Sequence, residues 1–369
     1  MPDYQMYDVQ ASLLTPLHIG SGRELLNEYD FAIHKGRTWR LNEDALLAAQ
    51  DLNDPALVER LARIPPGQLL ERADFRPESD FFRYVIRGTP RSEAEGAQLK
   101  EQIKDAYDQP YLPGTSLKGA LRTALVCSLW AKRGLKPDAR QLNRNPKFAG
   151  QKYERELLGR DPNHDLLRAL HVADSVPVDA DALMLVNARV IHQGGKLAAP
   201  IELEALKPDT VFRLTLKVDH ALFSEWAGRE RLRGQAALEQ LATLVQQHTA
   251  ARLKEEVAWF EKVDTARPVT DFLRQLHKMQ LPSHMCLLQL GWGTGWLDKT
   301  FGSHLQADAR FFDGVARDYR LTRGKRQSGD PFPKSRRVLV SVRRGGSGQI
   351  EERPISSIGW LLLELHERL

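Results

Sequence analysis

His18 stands in TPLHIGSG, Thr15 to Gly22, beside two glycines and Ser21 and directly after an alternating apolar run. Backbone N–H groups of such a segment can form a nest for phosphate, with the Ser21 hydroxyl as a further donor. His18 is a candidate general base for RNA cleavage. The same residues also suit a tight turn with a structural histidine, and no clear partner base or acid accompanies it. A second group, PGTSLKGALRTAL from Pro113 to Leu125, sets Lys118 and Arg122 four apart, on one face of a helix. Together with Ser116 at the helix start, where the peptide dipoles leave partial positive charge, they suit phosphate. The alternative is an amphipathic helix that buries Leu117, Leu121 and Leu125 and leaves its charges in water. The spaced-glycine GK[ST] pattern of a nucleotide hydrolase is absent.

GWGTGWLDKTFG, Gly291 to Gly302, pairs a flexible backbone with Trp292, Thr294, Trp296 and Lys299. Such a loop can approach a ribose-phosphate chain while an aromatic ring stacks on a splayed base; otherwise the tryptophans are core anchors, the reading preferred for Trp296. Between Arg323 and Arg353 nine Lys/Arg face three Asp/Glu, a surplus of six in a chain whose formal charge is +5. Within that tract Lys334, Arg336, Arg337, Arg343 and Arg344 lie in a strand-like run that places Arg336 and Arg337 on different faces. It is either a phosphate-binding patch or a charge-protected edge. Asp30, Asp174 and Asp298 are isolated, none of the three standing in a D-x-D or H-E-x-x-H set, so a two-metal nuclease built on them finds no support. Nor is there a G-x-S-x-G for serine chemistry.

These groups need elements to hold them. Met6–Leu14 reads as a strand, followed by a loop over Thr15–Gly22 and a hairpin with arms Tyr29–His34 and Thr38–Leu41 turning at Lys35-Gly36. Helical spacing occurs over Glu43–Leu52 and Pro55–Ile64, and Phe81–Arg87 reads as a strand. Pro113-Gly114 ends an extended stretch, Thr115 or Ser116 caps a helix to about Arg133, and Gly134 stops it. Leu135–Asp165 is a polar insertion of short helices. Strands are expected at Leu183–His192, Ile201–Glu204 and Val211–Val218, then one long helix from about Arg229 to Lys262. The fold class is α+β: an antiparallel sheet with helices on one face, helical insertions and a second α+β portion. Two portions are expected, 1–220 with the insertion near 135–165, and 221–369 with the Gly-rich loop and basic tract.

At 369 residues, 42% hydrophobic and 27% charged, the composition is that of a folded globular chain. No run of about 18 apolar residues reads as a membrane span, and the start has no signal-peptide pattern, which leads to the expectation of a cytoplasmic protein without a membrane partner. Cys127 and Cys286 stand far apart, so neither a disulfide framework nor a zinc site is expected, and both read as core residues. The mild basic excess favours a polyanionic partner.

LTPLHIGSG, YLPGTSLKGALRTAL and GWGTGWLDKTFG, in that order, resemble the signature of RAMP-superfamily proteins of type III CRISPR systems. The YDF after the first loop, HVADSVPV at His171–Val178 and PKSRR at Pro333–Arg337 are most similar to the family of fifth subunits of the Csm, type III-A, complexes. The resemblance spans essentially the whole chain. It implies an RRM-like, ferredoxin-like core and a non-catalytic subunit that holds the 3′ portion of the CRISPR RNA and is needed for its maturation. It places His18, Ser21, Ser116, Lys118 and Arg122 near RNA backbone and makes Gly291–Gly302 the family's glycine-rich loop. Asp30 receives no catalytic role. The implied partners are guide RNA, with target RNA as a further candidate, the repeated backbone subunit, other Csm-type subunits and host 3′-trimming nucleases; no cofactor is implied. Two rival readings stay open: a metal-independent endoribonuclease with His18 as base, and an end subunit of a Cmr-type complex.

Overall fold

Alternation in YQMYDVQASL sends Val9, Ala11 and Leu13 to one side, and these three are buried in the first strand, β1 (Tyr4–Leu13). The computed structural model describes residues 3–50, 53, 55, 59, 63–322, 326–344 (Arg344 as backbone only) and 350–368. Further strands are β2 (Gly20–Leu26), β3 (Phe31–His34), β4 (Arg37–Leu41), β5 (Phe82–Arg87), β6 (Gln98–Gln102) and β7 (Leu170–Val172). They continue with β8 (Leu183–His192), β9 (Ile201–Leu206), β10 (Val211–Asp219), β11 (Met285–Gln289), β12 (Ser335–Arg344), β13 (Ile350–Ser356) and β14 (Trp360–Glu367).

Strand β1 pairs with β10 on one side and β14 on the other, and the five-stranded sheet runs β11-β14-β1-β10-β7, antiparallel throughout. Two long helices, α1 (Gly114–Arg133) and α2 (Leu241–Phe260), cover one face. Leu117, Leu121 and Leu125 of α1 meet Phe212 and Leu214 of β10 and Leu361 and Leu363 of β14 in one core. The chain order β1-α1-β7-β10-α2-β14 and the spatial order β7-β10-β1-β14 are those of a ferredoxin-like core, with β11 added outside β14. The fold is therefore α+β, as the sequence reading has it.

A second sheet runs β13-β12-β8-β9-β6-β2, its β6–β9 pair parallel, and β3-β4-β5 form a third. Strands from both sides of residue 220 share each of the two larger sheets, since β14 pairs with β1 and β12 with β8. Helix α3 (Arg267–His277) packs Val269, Leu273 and Leu276 into a second core with Val338 and Trp360.

Four local expectations are corrected. The run from Arg229 to Lys262 is not one helix, because Gly234 (φ 92°) adopts left-handed backbone and Gln240 (φ −102°, ψ 20°) leaves helical geometry; a short helix Gln235–Glu239 lies between them and precedes α2, which ends at Phe260. Gly20–Gly22 belong to β2 and not to a loop. Neither Thr115 nor Ser116 caps α1: the N-cap is Pro113, and the Gly114 N–H donates to Asp174 Oδ1 at 2.7 Å. The first helix covers only Glu43–Ala48; the proposed end at Leu52 and most of Pro55–Ile64 lie outside the described residues. The turn at Lys35-Gly36 stands as expected, both with positive φ, and Gly134 (φ 61°) closes α1. Cys127 and Cys286 are buried and free, and burial pushes both thiols up to about 12.

Candidate nucleic-acid interface

Loop, helix start and glycine-rich segment come together because β1 and β11 flank β14, both antiparallel to it, and so end at the same edge of the sheet, where α1 begins. The chain leaving β11 turns at Gly291 (φ 78°) and passes so close to the first loop that the Trp292 N–H donates to the His18 carbonyl at 2.7 Å. A β-carbon on Gly291 would lie 2.4 Å from that oxygen. The resulting cleft, about 460 Å³, is lined by Gly20, by Ser116, Gly119 and Thr123 of α1, and by Trp292, Thr294 and Lys299. A second recess of about 260 Å³ adjoins it, sharing Gln289, Thr294 and Asp298, and reaches Arg336 and Arg337 at the start of β12.

His18 sits beneath this cleft and is only 2% exposed. Its Nδ1 lies 2.6 Å from the Glu204 carbonyl oxygen, so that nitrogen carries the proton and donates. Burial pulls the imidazole down to about 4, the carbonyl contact opposes this, and Lys100 and Lys104 add to the depression. A neutral, covered imidazole anchors the loop to β9. Because its folded pKa lies below the usual 6.5, the unfolded chain binds more protons between about pH 4 and 6.5. Stability from this group is therefore full above that window and is lost as pH falls through it. We expect wild type to lose up to about 3 kcal/mol more than His18→Gln between pH 7 and pH 4. Parallel urea titrations across that range measure the difference, and equal pH slopes would contradict the burial argument.

Lys118 and Arg122 do not join Ser116. At about 3.6 residues per turn they occupy another face of α1, and there they line a separate recess with Glu154 and Asp165 of the polar insertion. Arg122 reaches Glu154 and Asp165 at 2.8 Å each. Burial pulls its guanidinium down, but these two hydrogen bonds outweigh that and hold it above the usual value. For Lys118 burial dominates and lowers the ammonium. The insertion thus has a structural use that its sequence did not disclose: it supplies the counter-ions of α1.

The remaining candidates divide in the same manner. Ser21 is exposed on β2 and donates to Glu101 Oε2 at 2.7 Å. Lys334 pairs with Asp330. Arg336 donates to Glu256 Oε1 at 2.7 Å and lies over the Trp259 ring, whereas Arg337, on the opposite face, stacks over Trp292 at 4.6 Å. Thr294 is buried and donates to the Gly291 carbonyl, holding the loop's own turn. Trp296 packs against the main core beside Phe312 and Phe332. Asp30 accepts from the Leu26 N–H at 2.8 Å and faces Arg40 at 3.7 Å, which ties the hairpin's base.

Two buried polar groups were not singled out from the sequence: Glu204 has no partner at a regular spacing, and only the Arg252–Glu255–Glu256 spacing of three and four on one helix could have flagged the second. Glu204, 1% exposed, accepts from Tyr84 Oη, the Gln102 N–H and Lys104 Nζ. Arg252 of α2 meets Glu255, Glu256 and Asp298 at 2.6, 3.3 and 3.4 Å, joining α2 to the helix Gly295–Lys299 behind the glycine-rich turn. Burial raises Asp298 to about 6 even though Arg252 pulls the other way. Among the described residues no cluster of His, Cys, Asp and Glu could hold a metal ion, and no helix is long and apolar enough to cross a membrane.

A family model of the RAMP superfamily matches residues 10–298. The chain is 24% identical over 318 residues to the CRISPR system Cms protein Csm5 of Methanocaldococcus jannaschii, across 79% of this chain and 72% of that protein. It is 27% identical over 244 residues to the protein of the same name from Streptococcus thermophilus, across 59% of this chain and 66% of that one. Among solved structures it is similar to a chain of a type III-A Csm–crRNA–target RNA ternary complex, with TM-score 0.69 and 25% identity over 97% of this chain and 100% of that one. The crystal structure of T. onnurineus Csm5 shares the fold, with TM-score 0.63 and 22% identity over 95% and 99% of the two chains.

Proposed function

The chain belongs to the RAMP superfamily, and from that premise we propose that it is a guide-RNA-binding subunit of a type III-A CRISPR effector complex. In this reading it works in the cytoplasm, holds the 3′ portion of the guide, contributes to guide maturation and leaves target cleavage to other subunits. The observation that carries the proposal is the convergence of the first loop, the start of α1 and the glycine-rich turn on one cleft. Glycine backbone, hydroxyls and the Lys299 ammonium line it, the chemistry that positions a sugar-phosphate chain without reading its bases. The names of the similar proteins, and the complex that contains one of them, supply the assembly and the RNA class. The repeated backbone subunit is the partner expected beside it, with host nucleases that trim the guide's 3′ end as transient partners.

A tagged pull-down from the native host, with sequencing of bound RNA and mass spectrometry of bound proteins, tests the proposal. Recovery of CRISPR RNA with Csm-type subunits is expected. A lone protein without small RNA would sink the reading.

A further inference from the structure

Of the four cations that line the joined recesses, two are already neutralised from within: Arg252 by three carboxylates and Arg336 by Glu256. Two are not. Among the described residues neither Lys299 nor Arg337 has an ion pair, although both border the joined recesses beneath the glycine-rich turn. The one carboxylate next in sequence, Asp298, is turned toward Arg252. The Arg337 side chain is only partly exposed and its guanidinium lies over the Trp292 ring at 4.6 Å, a contact that holds it in place before any ligand arrives. Trp292 also packs against the small core of Val186, Ala188, Leu203 and Ile358. Its ring thus already has a guanidinium over it and core contacts beside it, which compete with a base for the same surface.

We propose that Lys299 and Arg337 form a seat for one phosphate of a single-stranded RNA, with Trp292 as the residue that positions Arg337 and not as a base-stacking platform. Two neighbouring like charges, each partly taken out of water and without a counter-ion, repel in the free protein and are relieved by one bound anion. Consistent with this, burial lowers both groups, and Arg337 lowers Lys299 further. Recognition at this seat is independent of sequence, because only the phosphate is held. The inference rests on the RNA-binding reading for its ligand, but the anion seat itself does not.

The test uses the full chain with two labelled probes of equal length, oligouridylate and an abasic ribose-phosphate strand. A bound phosphate on a single strand contributes about −0.7 to the slope of log affinity against log salt. In Lys299→Met/Arg337→Met the slope should become shallower by about that amount for both probes, and an unchanged slope would overturn the seat. Trp292→Leu keeps both charges, so it should weaken both probes equally; a loss confined to oligouridylate would make Trp292 a base platform and overturn its positioning role. Trp292→Phe gives the same comparison if the leucine variant folds poorly. Pyrophosphate separates the seat from the RNA reading: it should raise the melting temperature of wild type and not of the double variant. If no RNA binds yet that pyrophosphate shift is seen, the seat stands and the RNA reading falls; if pyrophosphate protects both proteins equally or neither, the seat falls. In phosphate-free buffer Lys299→Met should melt no lower than wild type. A lower melting point would mean that Lys299 has an internal role, contrary to the proposal.

Discussion

Arg252→Leu is expected to lower the unfolding free energy by about 3–5 kcal/mol, the usual cost of removing one partner from a buried ion cluster. Arg252 is 4% exposed and holds Glu255, Glu256 and Asp298 together. Glu255 reaches water and Glu256 keeps Arg336, so the carboxylate left stranded is Asp298, 12% exposed. That gives the prediction a pH signature. Asp298 already titrates at about 6 in the folded protein, above its ordinary value, because burial outweighs the pull of Arg252. The folded state therefore binds the extra proton, and stability from this group falls as pH rises from about 4 to 6. Without Arg252 the folded pKa climbs further and the fall extends to higher pH. Chemical denaturation at pH 5 and pH 8 should thus find the variant closer to wild type at the lower pH. Adding Asp298→Asn should recover part of the loss at pH 8, since the two sites share one network. A loss equal at both pH values, unaffected by the second change, would refute the account.

Gly291→Ala is expected to damage both stability and RNA retention. The residue has φ 78°, which costs a non-glycine residue about 1–2 kcal/mol, and its new methyl would stand 2.4 Å from the His18 carbonyl oxygen and 3.1 Å from Leu17 Cδ1. Relief requires breaking the Trp292 N–H bond to that carbonyl, worth about another 1 kcal/mol. The expected loss is about 2–4 kcal/mol, and the turn that carries Trp292 and Thr294 must leave its place over the first loop. Complexes purified with this variant should retain several-fold less guide RNA per mole of subunit than wild type. Two glycines serve as controls. Gly295 (φ 66°) has nothing within 4 Å of an added β-carbon, so its alanine variant should show only the conformational cost. Gly119 lies in α1 with open space around it, and alanine there should leave stability unchanged or raise it by up to about 1 kcal/mol. Urea midpoints for the three variants should fall in the order Gly119→Ala, Gly295→Ala, Gly291→Ala. If Gly291→Ala matched Gly295→Ala, the close approach of the two loops would not be a determinant of the site.

Period-2 alternation made β1, β8 and β10 legible, and the helical spacing of Leu117, Leu121 and Leu125 made α1 legible, because both patterns are imposed by which side of an element meets the core. The order of the three motifs likewise pointed to the family before any coordinates. Breaks set by one residue's backbone were harder to see: Gly234 and Gln240 interrupt what periodicity reads as a single helix, since one residue's backbone angles leave no mark on apolar spacing.

By itself, then, the sequence determined the fold class, the core elements β1, β10 and α1, though not β7, β11 or β14, and a set of candidate side chains for a phosphate. Which of those side chains remain free to do so was decided only by tertiary structure. Arg122 and Arg337 are both arginines in motif positions, yet one is neutralised by a lobe about 30 to 40 residues further along the chain and the other is left on a tryptophan without a counter-ion. The physical reason is that a charge acts through its neighbours in space. Burial and counter-ions come from elements distant in sequence, and spacing within one segment carries no record of them.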